Sequence, residues 1–104
     1  LLRRLNRELG MDFDLARFSH YASYCPLEHV ARSFLVSETE QAVSSRVLER
    51  TFTFNAGEAI YTEQSQKYTP EMIRELAAAS GFALNSLITD DRRWYALAVL
   101  HWVA

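Results

Sequence analysis

The chain has 104 residues, 49% of them hydrophobic, and a formal net charge of −2 with acids and bases interspersed. That is enough apolar material for one core. There is no basic block of the kind a nucleic-acid surface needs, and no apolar run near the roughly 20 residues that span a bilayer. A single cysteine, Cys25, excludes an intrachain disulfide and points to a reducing, cytoplasmic setting.

The chain opens Leu-Leu-Arg-Arg, with neither a methionine nor a secretory pattern. It reads as the inside of a longer polypeptide, with processing as the other explanation. Leu1, Leu2, Leu5 and Leu9 form one helical stripe that Gly10 closes. A loop through Asp12-Phe13-Asp14 follows, then a short helical turn over 14–17. Residues 18–25 alternate and are rich in aromatics, which predicts a strand ended by Pro26. Further strands are expected over 29–37, near 41–47, over 50–54 and over 58–65, with Asn55-Ala-Gly57 as a turn. Thr69-Pro70-Glu71 carries three helix-start signals: a hydroxyl cap, proline at the first position and an acid in the first turn. The predicted helix, 70–80, places Met72, Ile73, Leu76 and Ala79 or Ser80 on its apolar stripe and stops at Gly81. Two strands, 82–89 and 94–103, flank a turn at Asp90-Asp91-Arg92-Arg93. The fold class is α+β.

The last strand, WYALAVLHWV, is apolar on both faces. Such strands lie in sheets covered on both sides, and one short helix cannot supply two layers. The predicted partner is therefore either more of the same polypeptide or a second copy in a homodimer. His101 within this strand reads as a core or interface residue. His20 and His29 lack ligand-like spacing with carboxylates, so no metal site is expected. Cys25 has no paired histidine or asparagine motif, which argues against a nucleophile, and no catalytic residue is assigned.

Residues two apart on a strand share a face, so Glu63 and Ser65 are expected to project together with Gln64 opposite. That arrangement suits a ligand grip. A solvated strand edge before a capping loop would look the same.

Three stretches, LNRELGMDFDLARFSHYASY (5–24), FNAGEAIYTEQSQKYTPEMIRELAAASGF (54–82) and TDDRRWYALAVL (89–100), together resemble the C-terminal part of the histidine-specific N-methyltransferases of the ergothioneine pathway. The likeness is colinear and runs over nearly the whole chain. It implies an S-adenosylmethionine-dependent enzyme acting on the α-amino group of histidine or a related amino acid. Residues 1–66 would belong to a substrate-recognition segment. Residues 67–104 would be the last helix and terminal hairpin of a Rossmann-like methyltransferase domain. The resemblance makes Glu63 and Ser65 readers of the substrate imidazole: the carboxylate accepts from one N–H and the hydroxyl meets the other nitrogen.

It also brings Phe13 near the substrate pocket, with core packing as the alternative. Lys67 is left a structural or electrostatic role and Tyr68 a packing one. Asn6 and Arg7 become helix-end and junction residues. The pattern breaks at Ser33, which stands where the family carries a pocket methionine. The pocket is thus expected to differ in volume and polarity, and another aromatic or polar amino acid stays open as substrate. No glycine-rich cofactor loop occurs here, so S-adenosylmethionine would be bound by the part of the protein outside this chain. The rival reading is a stand-alone, non-enzymatic α+β module that dimerises and binds a small ligand or protein. No nucleic acid or membrane partner is expected in either case.

Overall fold

A computed structural model describes residues 1–103. The chain is α+β and divides into two compact units, Leu1–Ser65 and Gln66–Ala104.

The first unit begins with helix α1 (Leu2–Leu9). Gly10 ends it in the left-handed region at φ 55, where a side chain would also crowd Arg46. The helix end is tied down by backbone partners. Gly10 O accepts from Arg46 N, Leu9 O accepts from Val47 N, and Ser45 Oγ donates to Leu9 O at 2.6 Å. Asn6 closes the following loop, its side-chain amide bonding both N and O of Phe13 at 2.9 Å. A 3-10 turn (Leu15–Arg17), capped by Asp14, leads into strand β1 (Phe18–Cys25).

Strand β1 pairs antiparallel with β2 (Val30–Ser37), setting Phe18 beside Ser37, His20 beside Leu35 and Ala22 beside Ser33. Strands β3 (Gln41–Ser45) and β4 (Arg50–Phe54) form a separate hairpin. Strand β5 (Ala59–Gln66) joins the far side of β2, giving the order β1-β2-β5. Glu58 O meets Ser37 N, and Thr62 Oγ1 donates to Ser33 O at 3.0 Å, so β5 runs antiparallel to β2.

The core gathers Leu2, Phe13, Phe18 and Val43, with Leu5, Leu35, Phe54 and Ile60 against it. Phe13, Phe18 and Phe54 form a triangle of rings 5.4–6.2 Å apart, two of the three contacts edge-to-face. Of the predicted leucine stripe, Leu2 is buried, while Leu1 is 67% exposed.

In the second unit, helix α2 (Pro70–Ala79) starts as its sequence predicts, and Thr69 Oγ1 accepts from Met72 N at 3.2 Å. Thr69→Ala should destabilise the helix by about 1 kcal/mol, read as a lower thermal midpoint by circular dichroism. The buried position is Ala77, and Leu76 is 54% exposed, which corrects the predicted stripe. The small Ala77 lets the helix come close to strand β6 (Phe82–Thr89), against which it packs.

Strand β7 (Ala96–Trp102) pairs antiparallel with β6, with an irregularity at Leu84–Ser86. It starts two residues later than its apolar run because Asp90 captures the chain. The Asp90 carboxylate accepts from Tyr95 N at 3.0 Å and Trp94 N at 2.7 Å. The N–H of Tyr95 above all holds that carboxyl below its ordinary value. The hairpin's apolar side chains stay open within this unit: Leu97 is 63% and Trp102 70% exposed. His101 is also exposed, so of its two readings, core or interface, the core one does not hold within this unit and the interface one stays open.

Candidate functional site

The face of the three-stranded sheet that carries the core continues into a cleft of about 670 Å³ within the first unit. Strand β2 supplies its floor through Ser33 and Leu35. Strand β1 contributes Phe18 and His20, and β5 contributes Thr62 and Glu63. Leu1, Leu2 and Arg3 close the cleft from the α1 side, and Leu15 completes the wall.

Period-two alternation accounts for most of this lining. Phe18 and His20 share a face of β1, and their pairing partners Ser37 and Leu35 share the same face of β2. The opposite face carries an aromatic row in which Phe34 lies 6.3 Å from Tyr21 and 5.4 Å from Tyr61. Arg32, beside that row, bonds Glu28 at 2.7 Å, and this contact raises its guanidinium further above an already high value.

Strand β5 breaks the alternation. Ile60 packs on the core while Tyr61 faces the aromatic row. Thr62 and Glu63 are consecutive, yet both line the cleft, and the Tyr61 hydroxyl donates to Gln64 Oε1 at 2.7 Å. Glu63 thus borders the cleft next to Thr62 at the sheet edge formed by β5. Sequence alternation alone would have set Glu63 with Tyr61, on the other side.

Two of the predicted substrate residues, Glu63 and Ser33, meet in this cleft. Ser65 is half-buried near the end of β5 and is not part of the cleft lining. Phe13 is 7% exposed and lies within the aromatic core. Three polar or charged lining residues, His20, Arg3 and Thr62, were not singled out as site residues. The signal for His20 lay in the alternation: a histidine two residues after a core phenylalanine on one strand shares its face.

The cleft lining combines the acidic Glu63, the imidazole residue His20, the basic Arg3 and the hydroxyl residues Ser33 and Thr62 with the apolar Leu1, Leu2, Leu15, Phe18 and Leu35. That mixture suits a small ligand with a flat ring and polar edges. Among the described residues no group of His, Cys, Asp or Glu is arranged to hold a metal ion, and no helix is long and apolar enough to cross a membrane.

The family described as histidine-specific methyltransferase, SAM-dependent, matches residues 1–102. A histidine N-alpha-methyltransferase of Mycobacterium tuberculosis (strain CDC 1551 / Oshkosh) is 32% identical over 99 residues, covering 95% of this chain and 31% of the relative. A second protein of that name, from Mycolicibacterium smegmatis (strain ATCC 700084 / mc(2)155), is 40% identical over 80 residues, covering 76% of this chain and 25% of the relative. The chain therefore spans between a quarter and a third of the length of these relatives. On this colinear match over nearly all of its residues, the chain belongs to the SAM-dependent histidine-specific methyltransferase family.

Proposed function

We propose that this chain is the substrate-recognition and C-terminal portion of an S-adenosylmethionine-dependent N-methyltransferase that acts on the α-amino group of histidine or a related amino acid. The observation that supports the reading is that Glu63 and Ser33, from neighbouring strands, line one ligand-sized cleft. In this reading Glu63 accepts from one ring N–H. A hydroxyl, from Ser65 on the same strand or Ser33 on the neighbouring one, meets the second ring nitrogen. A site with such polar groups rejects rings that leave them unpaired. The smaller Ser33 widens the pocket and admits a polar ring substituent.

The glycines present do not cradle S-adenosylmethionine. Gly10 follows α1, Gly81 follows α2, and Gly57 lies in the turn before β5. None stands in a strand-to-helix turn of the kind that holds nucleotide cofactors. The methyl donor is assigned to residues outside this chain, and these residues position the acceptor. Positioning is a large share of such a reaction, because a neutral amine held in line needs little further activation. The remainder of the methyltransferase domain is also the proposed cover for β6 and β7, whose apolar side chains stay open in their own unit.

The test is calorimetric titration of the full-length protein with the twenty amino acids, S-adenosylhomocysteine being present. Binding of histidine or another polar-ring amino acid is expected. Saturating cofactor binding without uptake of any amino acid would overturn the assignment.

A further inference from the structure

The second unit holds a cleft of its own, about 480 Å³, between the start of α2 and the turn end of the β6–β7 hairpin. Its apolar wall is Pro70, Ile73, Leu87 and Ala96, and its polar lining is Tyr68, Thr89 and Arg93. The hollow follows from the register. Leu87 pairs with Ala98 and Thr89 with Ala96, so this face of β7 carries only methyl side chains here. The opposite face carries the bulky pair Ile88 and Leu97, which are 57% and 63% exposed and lie outside the lining. A methyl group is too short to meet the helix, and the space above Ala96 stays unfilled.

Arg93 is the charged residue of that lining. Its backbone is left-handed at φ 56, a region that suits glycine or asparagine better than arginine. The turn holds it there: Arg93 N donates to Asp90 O at 3.0 Å, and the Asp90 carboxylate takes the N–H groups of Trp94 and Tyr95. Among the described residues Arg93 forms no ion pair, whereas Arg4, Arg7, Arg32 and Arg74 each meet a glutamate. A guanidinium presents a planar fork of N–H donors that matches a carboxylate, and hydroxyl residues beside it can donate to the same group. We propose that this cleft binds a small organic carboxylate, its head on Arg93 and its apolar body against Ile73, Leu87 and Ala96. The site lies wholly in the second unit and does not depend on the substrate reading of the first.

The test is a ligand-observed NMR titration of the full-length protein with benzoate, benzamide and acetate as probes. Benzamide keeps the ring without the charge, and acetate keeps the charge without the ring. Benzoate should bind saturably and more tightly than either. Arg93→Gly relieves the left-handed backbone, so the thermal midpoint should hold or rise while benzoate affinity falls about tenfold, the low end for hydrogen bonds to a charged group. Arg93→Lys keeps the charge without the fork and should fall between. Ala96→Leu fills the space and should exclude benzoate with Arg93 intact. Added bulk can strain the packing, so the thermal midpoint and S-adenosylhomocysteine binding serve as its fold check. Benzamide binding as tightly as benzoate, or unchanged benzoate affinity in Arg93→Gly, would overturn recognition by Arg93 and the site with it. Acetate binding as tightly as benzoate would overturn the apolar half of the site. No uptake of benzoate by the unaltered protein, or uptake that L-histidine displaces, would overturn the whole assignment.

Discussion

Phe13→Ala is expected to destabilise the Leu1–Ser65 unit by about 3–5 kcal/mol, the range for deleting a buried phenyl ring. The ring is 7% exposed and meets Phe18 edge-to-face at 5.4 Å and Phe54 at 6.2 Å. Its removal takes apolar contact from both neighbours and leaves a cavity that the surrounding backbone cannot fill. That backbone is held by Asn6, whose amide bonds Phe13 on both sides. Against a typical domain stability of about 5–15 kcal/mol, this loss approaches unfolding. Phe13→Leu keeps most of the volume and should cost less than half as much. Urea denaturation of the two variants checks the ordering. A ligand-contacting Phe13 would instead lose amino-acid affinity in both variants with little change in midpoint.

Glu63→Ala is the second large effect. In the full-length protein it should weaken L-histidine binding by about 1.5–3 kcal/mol, the range for a hydrogen bond to an ionised group, or roughly tenfold to more than a hundredfold. Affinity for S-adenosylhomocysteine should stay within about twofold. The side chain is exposed and on the cleft wall, so the fold should survive its truncation and the two affinities can be compared directly. Glu63→Gln keeps an acceptor oxygen without the charge and should fall between. Equal loss of both ligands would mark Glu63 as a structural residue and withdraw the carboxylate from substrate recognition.

Local chemistry made much of the fold legible. Thr69, Pro70 and Glu71 each satisfy a need of a helix start, and α2 begins where they place it. The alternation and aromatic content of residues 18–25 were enough for β1, although only Phe18 on it is buried. Where a distant or competing bond decided the outcome, sequence pattern failed. Trp94 and Tyr95 have the composition of a strand, yet their N–H groups go to Asp90 and the strand begins at Ala96. Leu76 has the periodicity of a core position, but Ala77 is the side chain small enough for the close approach and takes it.

The cleft shows the same division. Glu63 could be nominated from its own strand, and Ser33 from its departure from the family pattern. His20, 43 positions before Glu63, joins them only through the pairing of β1 with β2 and of β2 with β5. No local signal states that pairing order. The appearance of both Thr62 and Glu63 in the cleft lining is likewise not stated by strict alternation over 61–64.

Helix α1 reaches the cleft with its first residues, while its last carbonyls are pinned by Ser45, Arg46 and Val47 at the bend between β3 and β4. The opening of the cleft is therefore tied, through α1, to the bend between β3 and β4. Under the proposed reading, substituting Ser45, the one of the three that holds α1 through its side chain, would tilt the helix and reshape the opening while leaving every lining residue in place.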